Sequence, residues 1–550
     1  MGSVTWICCA VVFFLFERAI TTPVSIGQFW QVTDFHYDAN YSVSGNPLDM
    51  CHNAAPSLLE SPVMGKYGDY KCDSPWQLVQ SAISAMKQIQ PKPDFILWTG
   101  DSIPHIPNSD LDLRKIYTVI GNITLLLRDT FSNITIYPTF GNHDPWPSNQ
   151  MSPHTGDRYY ENIANISRWD QLLPTGAMKT FLKGGYYTDI LCAGLSLINL
   201  NSPLYYHSNK LVSGIKDPAG QLDWLRQTLE QIKSRNEKVY IASHIPPGRF
   251  GRVANISWFY PYFNKAYLSI LQEYKDLITG QFYGHEHTDG FRVTYDDNGT
   301  PYGSMFLSPA VTPWNSTLPG AGYNNPSIRL YHYDRNSGQV LDYFQYFLNL
   351  TAANTDEKAK WALEYQATKA YSIDKVTTMS LVQLVNKLKA SGSGLFEKYY
   401  VYNSVSVDPE STCSGQCKKN HMCAIIAVDY EQYDKCLANM TSIGDDDIWP
   451  PHPPHPPLHP HHRKAPKYML YIIIAMAVVV VAIFILIVLL CLRNTGTAPV
   501  TFRGHVPRMR HSSKSRLRSS KSRSRSRSRY CRVNSEGYDS SVPNSPVPHD

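Results

Sequence analysis

Five short runs of β-forming residues in the first two thirds of the chain each end in a cluster of polar side chains. Such runs, separated by helical or loop segments, predict the strands of an α/β domain. Because strands of such sheets usually carry active-site residues where they give way to loops, we expect the clusters to meet. The runs are Ile26–Thr33, Phe95–Thr99, Ile134–Phe140, Lys238–Ser243 and Ile278–Tyr283, and the clusters are Asp34-Phe35-His36, Gly100-Asp101, Gly141-Asn142-His143-Asp144, Ser243-His244 and Gly284-His285-Glu286-His287.

A helix is predicted between the first two strands. Apolar residues recur at helical spacing from Trp76 to Ile89, which favours a β-α-β crossover. The α/β domain is expected to extend over residues 23–354.

The five clusters together supply imidazoles, carboxylates and one amide, which are donors that suit two borderline divalent metals. Each cluster alone is common, and the alternative is that these residues form caps and turns. Asp101 is the candidate for the carboxylate that bridges both ions. The expected ligands are Asp34, His36, Asp101 and His287 for one metal, and Asp101, Asn142, His244 and His285 for the other. Two ions roughly 3.5 to 4 Å apart would activate a bridging hydroxide for in-line attack, so phosphoester hydrolysis is the predicted reaction.

Two apolar segments predict the topology of the chain. Val4–Phe16 is too short to span about 30 Å of hydrocarbon, so residues 1–22 are expected to be a signal peptide, with an uncleaved anchor as the alternative. The uncharged run Tyr468–Leu492 predicts a transmembrane helix over residues 468–492, with a buried core helix as the alternative. Residues 493–550 hold 13 Lys or Arg and 3 Asp or Glu, which places this tail in the cytosol. A single-pass type I protein of the plasma membrane or endolysosome is expected, with its folded domain outside the cytosol.

Glycosylation signals agree with this topology. Nine Asn-x-Ser/Thr sequons lie between the two apolar segments and none lies in the tail, so an exported glycoprotein is expected. The sequons begin at Asn40, Asn122, Asn133, Asn165, Asn255, Asn298, Asn315, Asn349 and Asn439.

Seven cysteines lie in the same region and predict disulfides in an oxidising compartment. Proximity in the sequence pairs Cys51 with Cys72, Cys413 with Cys417, and Cys423 with Cys436, and leaves Cys192 as a buried thiol. A zinc site of Cys413, Cys417, Cys423 and His421 is the alternative.

The C-terminal third is expected to differ from the α/β domain. Apolar residues from Asp356 to Leu388, including Trp361, Leu363 and Tyr365, are interpreted as helical, and residues 355–447 as a helical, disulfide-containing subdomain. Residues 448–467 are rich in Pro and His and predict an extended stalk. The Arg/Ser-rich tail is expected to contact anionic lipid or sorting machinery, and a nucleic-acid polymer is not expected as a partner.

From about Gln31 to Cys436 the sequence resembles the calcineurin-like metallophosphoesterases and, among them, the acid sphingomyelinase-like phosphodiesterases. In that family two histidines beside the metals stabilise the phosphate and protonate the leaving group. The matching residues are His105, four positions after Asp101, and His143, directly after Asn142. The resemblance also implies a four-layer α/β/β/α sandwich, a helical C-terminal region with closely spaced disulfides, and two zinc ions per chain.

The same resemblance narrows the range of metals and substrates that we expect. Purple acid phosphatases carry a Tyr three residues after the central Asp, whereas this chain has Pro104, which argues against iron. Because the first metal motif begins at Asp34, the lipid-presenting module that precedes the catalytic part of acid sphingomyelinase is not expected here. Nucleotides or other small phosphodiesters are therefore expected as substrates. The alternatives are sphingomyelin, polyphosphate, or a catalytically silent receptor ectodomain.

Overall fold

The computed structural model describes residues 25–53 and 64–440, except residues 254, 319 and 391. Two six-stranded sheets form the centre of this part of the chain. The predicted signal peptide, stalk, transmembrane helix and cytosolic tail lie outside the described residues. Among the described residues, no helix combines the length and the apolar character that a membrane crossing requires.

The strand order is β12-β11-β10-β1-β2-β3 in the first sheet and β4-β5-β6-β7-β9-β8 in the second. All five predicted strands are present as β1, β2, β3, β6 and β7. Three lie parallel in the first sheet and two lie parallel in the second, so their carboxyl ends form one edge of each sheet. The strands are β1 Ile26–Val32, β2 Phe95–Trp98, β3 Thr135–Pro138, β4 Tyr187–Cys192, β5 Leu195–Asn199, β6 Lys238–Ala242, β7 Ile278–Tyr283, β8 Gly290–Tyr295, β9 Pro301–Leu307, β10 Ser327–Asp334, β11 Val340–Leu348 and β12 Trp361–Gln366.

Aromatic side chains fill the space between the two sheets. The ring of Phe29 in β1 stacks on Phe95 and Tyr331 of its own sheet, at centroid distances of 4.6 and 4.8 Å. The same ring meets Phe282 of β7 edge to face at 5.2 Å, which joins the sheets. Each such pair contributes about 0.5–1.5 kcal/mol beyond the burial of its area. This packing holds the two sheet edges side by side.

Helices contact both sheets. The predicted crossover helix is present as α1, which contacts β10 of the first sheet, while α5 contacts β6 and α9 contacts β9 of the second. The predicted α/β class is confirmed, with helices in contact with both sheets. The helices are α1 Trp76–Ile89, α2 Leu113–Thr130, α3 Arg158–Asn165, α4 Met178–Gly184, α5 Gln221–Ser234, α6 Pro261–Glu273, α7 Leu350–Asp356, α8 Ala367–Tyr371, α9 Thr378–Lys389, α10 Leu395–Asn403, α11 Gln416–Ile426 and α12 Tyr430–Asn439.

One part of the helical interpretation of the C-terminal region was wrong. The segment Trp361–Gln366 is strand β12, which pairs antiparallel with β11 at the edge of the first sheet. Its large apolar residues Trp361, Leu363 and Tyr365 alternate along the chain, which is the period of a strand. The later apolar positions Leu381, Leu384, Val385 and Leu388 do form the buried face of α9, as predicted.

The cysteine pairing predicted from proximity is confirmed. Disulfides join Cys51 to Cys72, Cys413 to Cys417, and Cys423 to Cys436. The alternative zinc site at Cys413, Cys417 and Cys423 is therefore excluded, because a cysteine in a disulfide has no thiolate for a metal. Cys192 is buried at the end of β4, as predicted.

Candidate dinuclear metal centre

Five of the seven predicted metal ligands have a left-handed backbone. The φ angles are 51° at Asp34, 40° at His36, 52° at Asp101, 70° at His285 and 58° at His287. Positive φ is uncommon for residues other than glycine, costs on the order of 1–3 kcal/mol each, and clusters at functional sites. The chain thus turns sharply where these strands end.

The carboxylate of Asp101 lies at the centre of the converging donors. Its Oδ2 is 3.5 Å from Nε2 of His36 and 3.1 Å from Nε2 of His244. On the first side, Nε2 of His287 is 3.2 Å from Nε2 of His36 and 3.3 Å from Oδ1 of Asp34. On the other side, Nε2 of His244 is 3.1 Å from Oδ1 of Asn142.

All seven predicted ligands are brought together by the structure. Asp34, His36 and Asp101 form one group whose donor atoms lie within 4.8 Å of one another, and Asp101, His244 and His285 form a second. Asp101 belongs to both groups, as its predicted bridging position requires.

The hydrogen bonds of two histidines show that the donors fit metal ions. Nδ1 of His36 is 2.7 Å from the carbonyl oxygen of Ile103, and Nδ1 of His244 is 2.7 Å from that of Thr99. A carbonyl only accepts, so Nδ1 carries the hydrogen and the Nε2 lone pair of each ring faces the centre. Oδ1 of Asp34 and Nε2 of His285 are also buried there without a hydrogen-bond partner. Lone pairs facing one another at these distances are stabilised by positive charge between them, which a metal ion or a proton supplies.

Electrostatics at the centre favour positive charge. Burial opposes protonation of His36 and His244, but the nearby carboxylates of Asp34 and Asp101 raise the pKa of both histidines to about 9. Burial likewise opposes charge on Asp101, yet His244 and His143 hold its pKa well below the usual range. A divalent cation meets the same demand for positive charge.

The two histidines implied by the resemblance lie beside this centre. The ring of His105 stacks between His36, at a centroid distance of 3.9 Å, and Trp314, at 3.8 Å. The ring of His143 is 4.3 Å from that of His105, and its backbone N–H donates to Oδ1 of Asp101 at 2.7 Å.

Sequence reasoning missed Asp73, which holds His105 from behind. One carboxylate oxygen of Asp73 lies 3.0 Å from Nδ1 of His105, and the other accepts the backbone N–H of His105 at 2.6 Å. The hydroxyl of Thr312 donates to the same carboxylate at 3.0 Å. In this arrangement Nδ1–H of His105 donates to the Asp73 carboxylate, which leaves Nε2 for other partners. Asp73 follows no predicted strand, and its adjacency to Cys72 is the one signal that could have drawn attention to it.

Asp144, in the same cluster as Asn142 and His143, has a role that the sequence pattern does not indicate. Its carboxylate accepts the backbone N–H of Ser102 at 2.8 Å and that of Gly141 at 2.7 Å. These residues follow Asp101 and precede Asn142, respectively. Asp144 therefore ties together the turns after β2 and β3, and burial next to Asp101 raises the pKa of Asp144 to about 6.

A cleft of about 250 Å³ opens over the centre. Its walls combine the histidines with five aromatic side chains, on which flat or cationic groups pack well. The aromatic residues are Tyr206, Phe250, Trp258, Trp314 and Tyr323.

This fold and this arrangement of donors define a metallophosphoesterase. Residues 27–289 match the family model for calcineurin-like phosphoesterases, and residues 300–443 match that for the acid sphingomyelin phosphodiesterase C-terminal region. The chain belongs to the acid sphingomyelinase-like phosphodiesterases within the calcineurin-like class, as the resemblance implied. It is accordingly a phosphoric diester hydrolase with a dinuclear metal centre.

Similar proteins match over most of their length. Acid sphingomyelinase-like phosphodiesterase 3b of Mus musculus is 41% identical over 75% of this chain and 90% of its own length. Cyclic GMP-AMP phosphodiesterase SMPDL3A of Homo sapiens is 39% identical over 76% and 91%, respectively. Sphingomyelinase phosphodiesterase C of Dictyostelium discoideum is 37% identical over 78% and 97%.

Substitution of Gly284 by Ala is expected to weaken metal binding. A Cβ at this position would lie 2.1 Å from Oγ1 of Thr33 and 2.5 Å from Oδ2 of Asp34, so the Asp34 carboxylate has to move. Displacing a ligand in this way lowers metal affinity by about 10- to 100-fold. Titration of the metal-free protein with zinc measures the change. Gly290→Ala is the matched control, since its nearest neighbour is Cβ of Leu307 at 3.9 Å, and equal affinities in the two variants would contradict the prediction.

Proposed function

We propose that this chain is a dinuclear zinc phosphodiesterase that hydrolyses nucleotides or other small phosphodiesters in the extracellular or lysosomal space. The observation that carries the proposal is the central position of the Asp101 carboxylate. It lies between two sets of donors, with the imidazoles of His105 and His143 packed alongside.

The proposed ligands are divided between the two ions in the way that the sequence predicts. Asp34, His36, Asp101 and His287 hold one ion, and Asp101, Asn142, His244 and His285 hold the other. Imidazole, carboxylate and amide donors without thiolates suit zinc. When bound, two such ions supply a water of lowered pKa and neutralise negative charge on the phosphate.

In the proposed mechanism, His105 and His143 bind the phosphate and protonate the leaving oxygen. An alkoxide is a poor leaving group, so an imidazole that donates a proton accelerates its departure by about 10²- to 10⁴-fold. Asp73 holds the Nδ1 hydrogen of His105, so the transferable proton is the one on Nε2. Trp314 stacks on His105 and fixes the plane of its ring.

The size of the cleft supports a small substrate. About 250 Å³ holds a phosphate with a small organic group attached, such as part of a nucleoside. The relatives include an enzyme named for cyclic GMP-AMP and another named as a sphingomyelinase. The former name supports a nucleotide, and the latter keeps the head group of sphingomyelin as the second candidate.

An exported location is part of the proposal. Eight of the nine sequon asparagines are exposed on the surface, and Asn122 is half-buried, which suits glycosylation of the folded domain. The three disulfides suit an oxidising compartment. The signal peptide, zinc, the glycans and the type I membrane topology remain parts of the same proposal.

The test is a substrate panel with metal analysis. The purified full-length chain is assayed on cyclic dinucleotides, nucleoside triphosphates, polyphosphate and micellar sphingomyelin while its zinc content is measured. We expect two zinc ions per chain and fastest turnover of a nucleotide. Preferred cleavage of sphingomyelin or polyphosphate would favour those alternatives, and stoichiometric zinc without any hydrolysis would favour the silent receptor ectodomain.

Replacement of Asp73 by Asn tests the proposed role of His105 without touching a proposed ligand. The amide of the variant lacks the negative charge of the carboxylate that accepts the Nδ1–H of His105, so the imidazole loses its fixed tautomer and orientation. We expect kcat to fall by about 10- to 100-fold while the zinc content stays at the level of the unsubstituted chain. Steady-state kinetics and elemental analysis measure the two quantities. Loss of zinc in step with activity would assign Asp73 to the metal centre itself and contradict the prediction.

A further inference from the structure

Glu286 stands between His285 and His287 but makes its contacts elsewhere. Its Oε1 accepts a hydrogen bond from the indole Nε1 of Trp258 at 2.7 Å and forms an ion pair with Arg292. The Glu286 side chain is only 7% exposed and that of Arg292 only 3%. A buried carboxylate with both a cation and an N–H donor is held in one position.

Arg292 links this carboxylate to a second loop. The residue lies on β8, and its guanidinium donates to the backbone carbonyl oxygens of Pro247 and Arg249, the latter at 2.8 Å. Both carbonyls belong to the segment that follows His244. The pair Glu286–Arg292 therefore connects the loop of His285 and His287 with the loop of His244.

Trp258 is the cleft residue that this network orients. Its ring lies 4.3 Å from that of His285 at an angle of 79°, and 5.5 Å from that of Phe250. The side chain lines the cleft beside Tyr206. The hydrogen bond from its N–H to Glu286 determines which face and edge of the indole is turned toward the cleft.

We propose that Glu286 is a positioning residue that determines how tightly the enzyme binds the group retained on phosphorus, because it holds Trp258 as a wall of the cleft. The inference rests on the proposed function. His105 and His143 protonate the leaving group in that proposal, and Trp314 stacks on His105, so the leaving group lies on that side. Trp258 borders His285 and faces the group that stays. An indole wall binds a flat unsaturated group, and a nucleobase has that chemistry.

The experiment compares two p-nitrophenyl phosphodiesters with the same leaving group. One retains 5′-linked thymidine on phosphorus after cleavage, and the other retains methyl. In Glu286→Met, which removes the acceptor for the indole N–H, KM for the thymidine ester is expected to rise about tenfold. KM for the methyl ester is expected to rise far less. Glu286→Gln keeps an acceptor oxygen and is expected to restore most of the loss.

Two further variants separate positioning from structural damage. Glu286→Met combined with Arg292→Met removes the unpaired buried cation that Glu286→Met alone leaves behind. It is expected to show the same thymidine-specific rise in KM with unchanged zinc content. Trp258→Phe removes the N–H donor, so adding Glu286→Met to it is expected to raise KM for the thymidine ester no further.

The outcomes distinguish the inference from the proposed function. Equal changes in kcat for both esters together with loss of zinc would assign Glu286 to loop stability and overturn the inference. Additive effects of Trp258→Phe and Glu286→Met would also overturn it, because Glu286 would then act by another route. If the unsubstituted chain, with two zinc ions bound, cleaves neither ester, the proposed function fails together with the inference.

Discussion

Asp101→Ala is expected to abolish hydrolysis and to reduce the zinc content from the proposed two ions per chain to less than one. Asp101 Oδ2 is the atom that both sets of donors share, at 3.5 Å from His36 and 3.1 Å from His244. Without it, each proposed ion loses a charged ligand, and four imidazoles crowd together without a central carboxylate. In the proposed mechanism the ions would supply most of the rate enhancement, so kcat/KM is expected to fall by more than about 10⁴-fold.

The backbone around Asp101 makes a control necessary. Ala adopts the left-handed φ of 52° less readily than Asp does, at a cost of on the order of 1 kcal/mol, so circular dichroism has to establish that the variant folds. Asp110→Asn removes an exposed carboxylate nine residues away and is expected to retain both activity and zinc. Two zinc ions in Asp101→Ala, or hydrolysis at the rate of the unsubstituted chain, would contradict the proposed centre.

His105→Gln is expected to slow cleavage in proportion to the basicity of the leaving group. An alkoxide has to be protonated as it departs, whereas p-nitrophenolate leaves without that help. For a diester with an alkyl leaving group we expect kcat to fall by about 10²- to 10⁴-fold, and for a p-nitrophenyl diester by much less. The measurement is the slope of log kcat against leaving-group pKa in the two proteins.

Two further measurements complete this test, namely the zinc content of His105→Gln and the kinetics of His143→Gln. His105 is stacked on His36, so elemental analysis has to establish that His105→Gln retains both ions. His143→Gln, measured on the same substrates, identifies which imidazole gives the proton, because the variant of the donor shows the steeper slope. An identical loss for all leaving groups in both variants would remove proton donation from the mechanism.

Several parts of the fold were predictable because they depend on local pattern. The strand β7 at Ile278–Tyr283 and the helix α1 at Trp76–Ile89 have the bounds expected from their periodicity. The segment Trp361–Gln366 was mistaken for helix since six residues are too few for the period to be decisive when a helix follows closely. Its pairing with β11 decided the matter, and that strand ends at Leu348, before helix α7, so it lies outside the short segment from which the period is read.

The candidate donors that the structure brings together could also be found in the sequence, because each directly follows a strand. The division of those strands between two sheets could not be predicted from the sequence. The predicted clusters meet where two sheet edges come together, and aromatic packing between the sheets, such as Phe29 on Phe282, creates that meeting.

From the sequence alone, the five strands that precede the polar clusters, the helix α1, the cysteine pairs and the candidate donors could be predicted, since these depend on local pattern and on neighbours within a few tens of residues. Only the tertiary structure decided that Asp73 holds His105 and that Glu286 holds Trp258. A carboxylate selects its partner by distance and burial in the folded chain, and no periodicity records that choice. The orientation of the proposed proton donor and the shape of the cleft are therefore properties of the packed molecule.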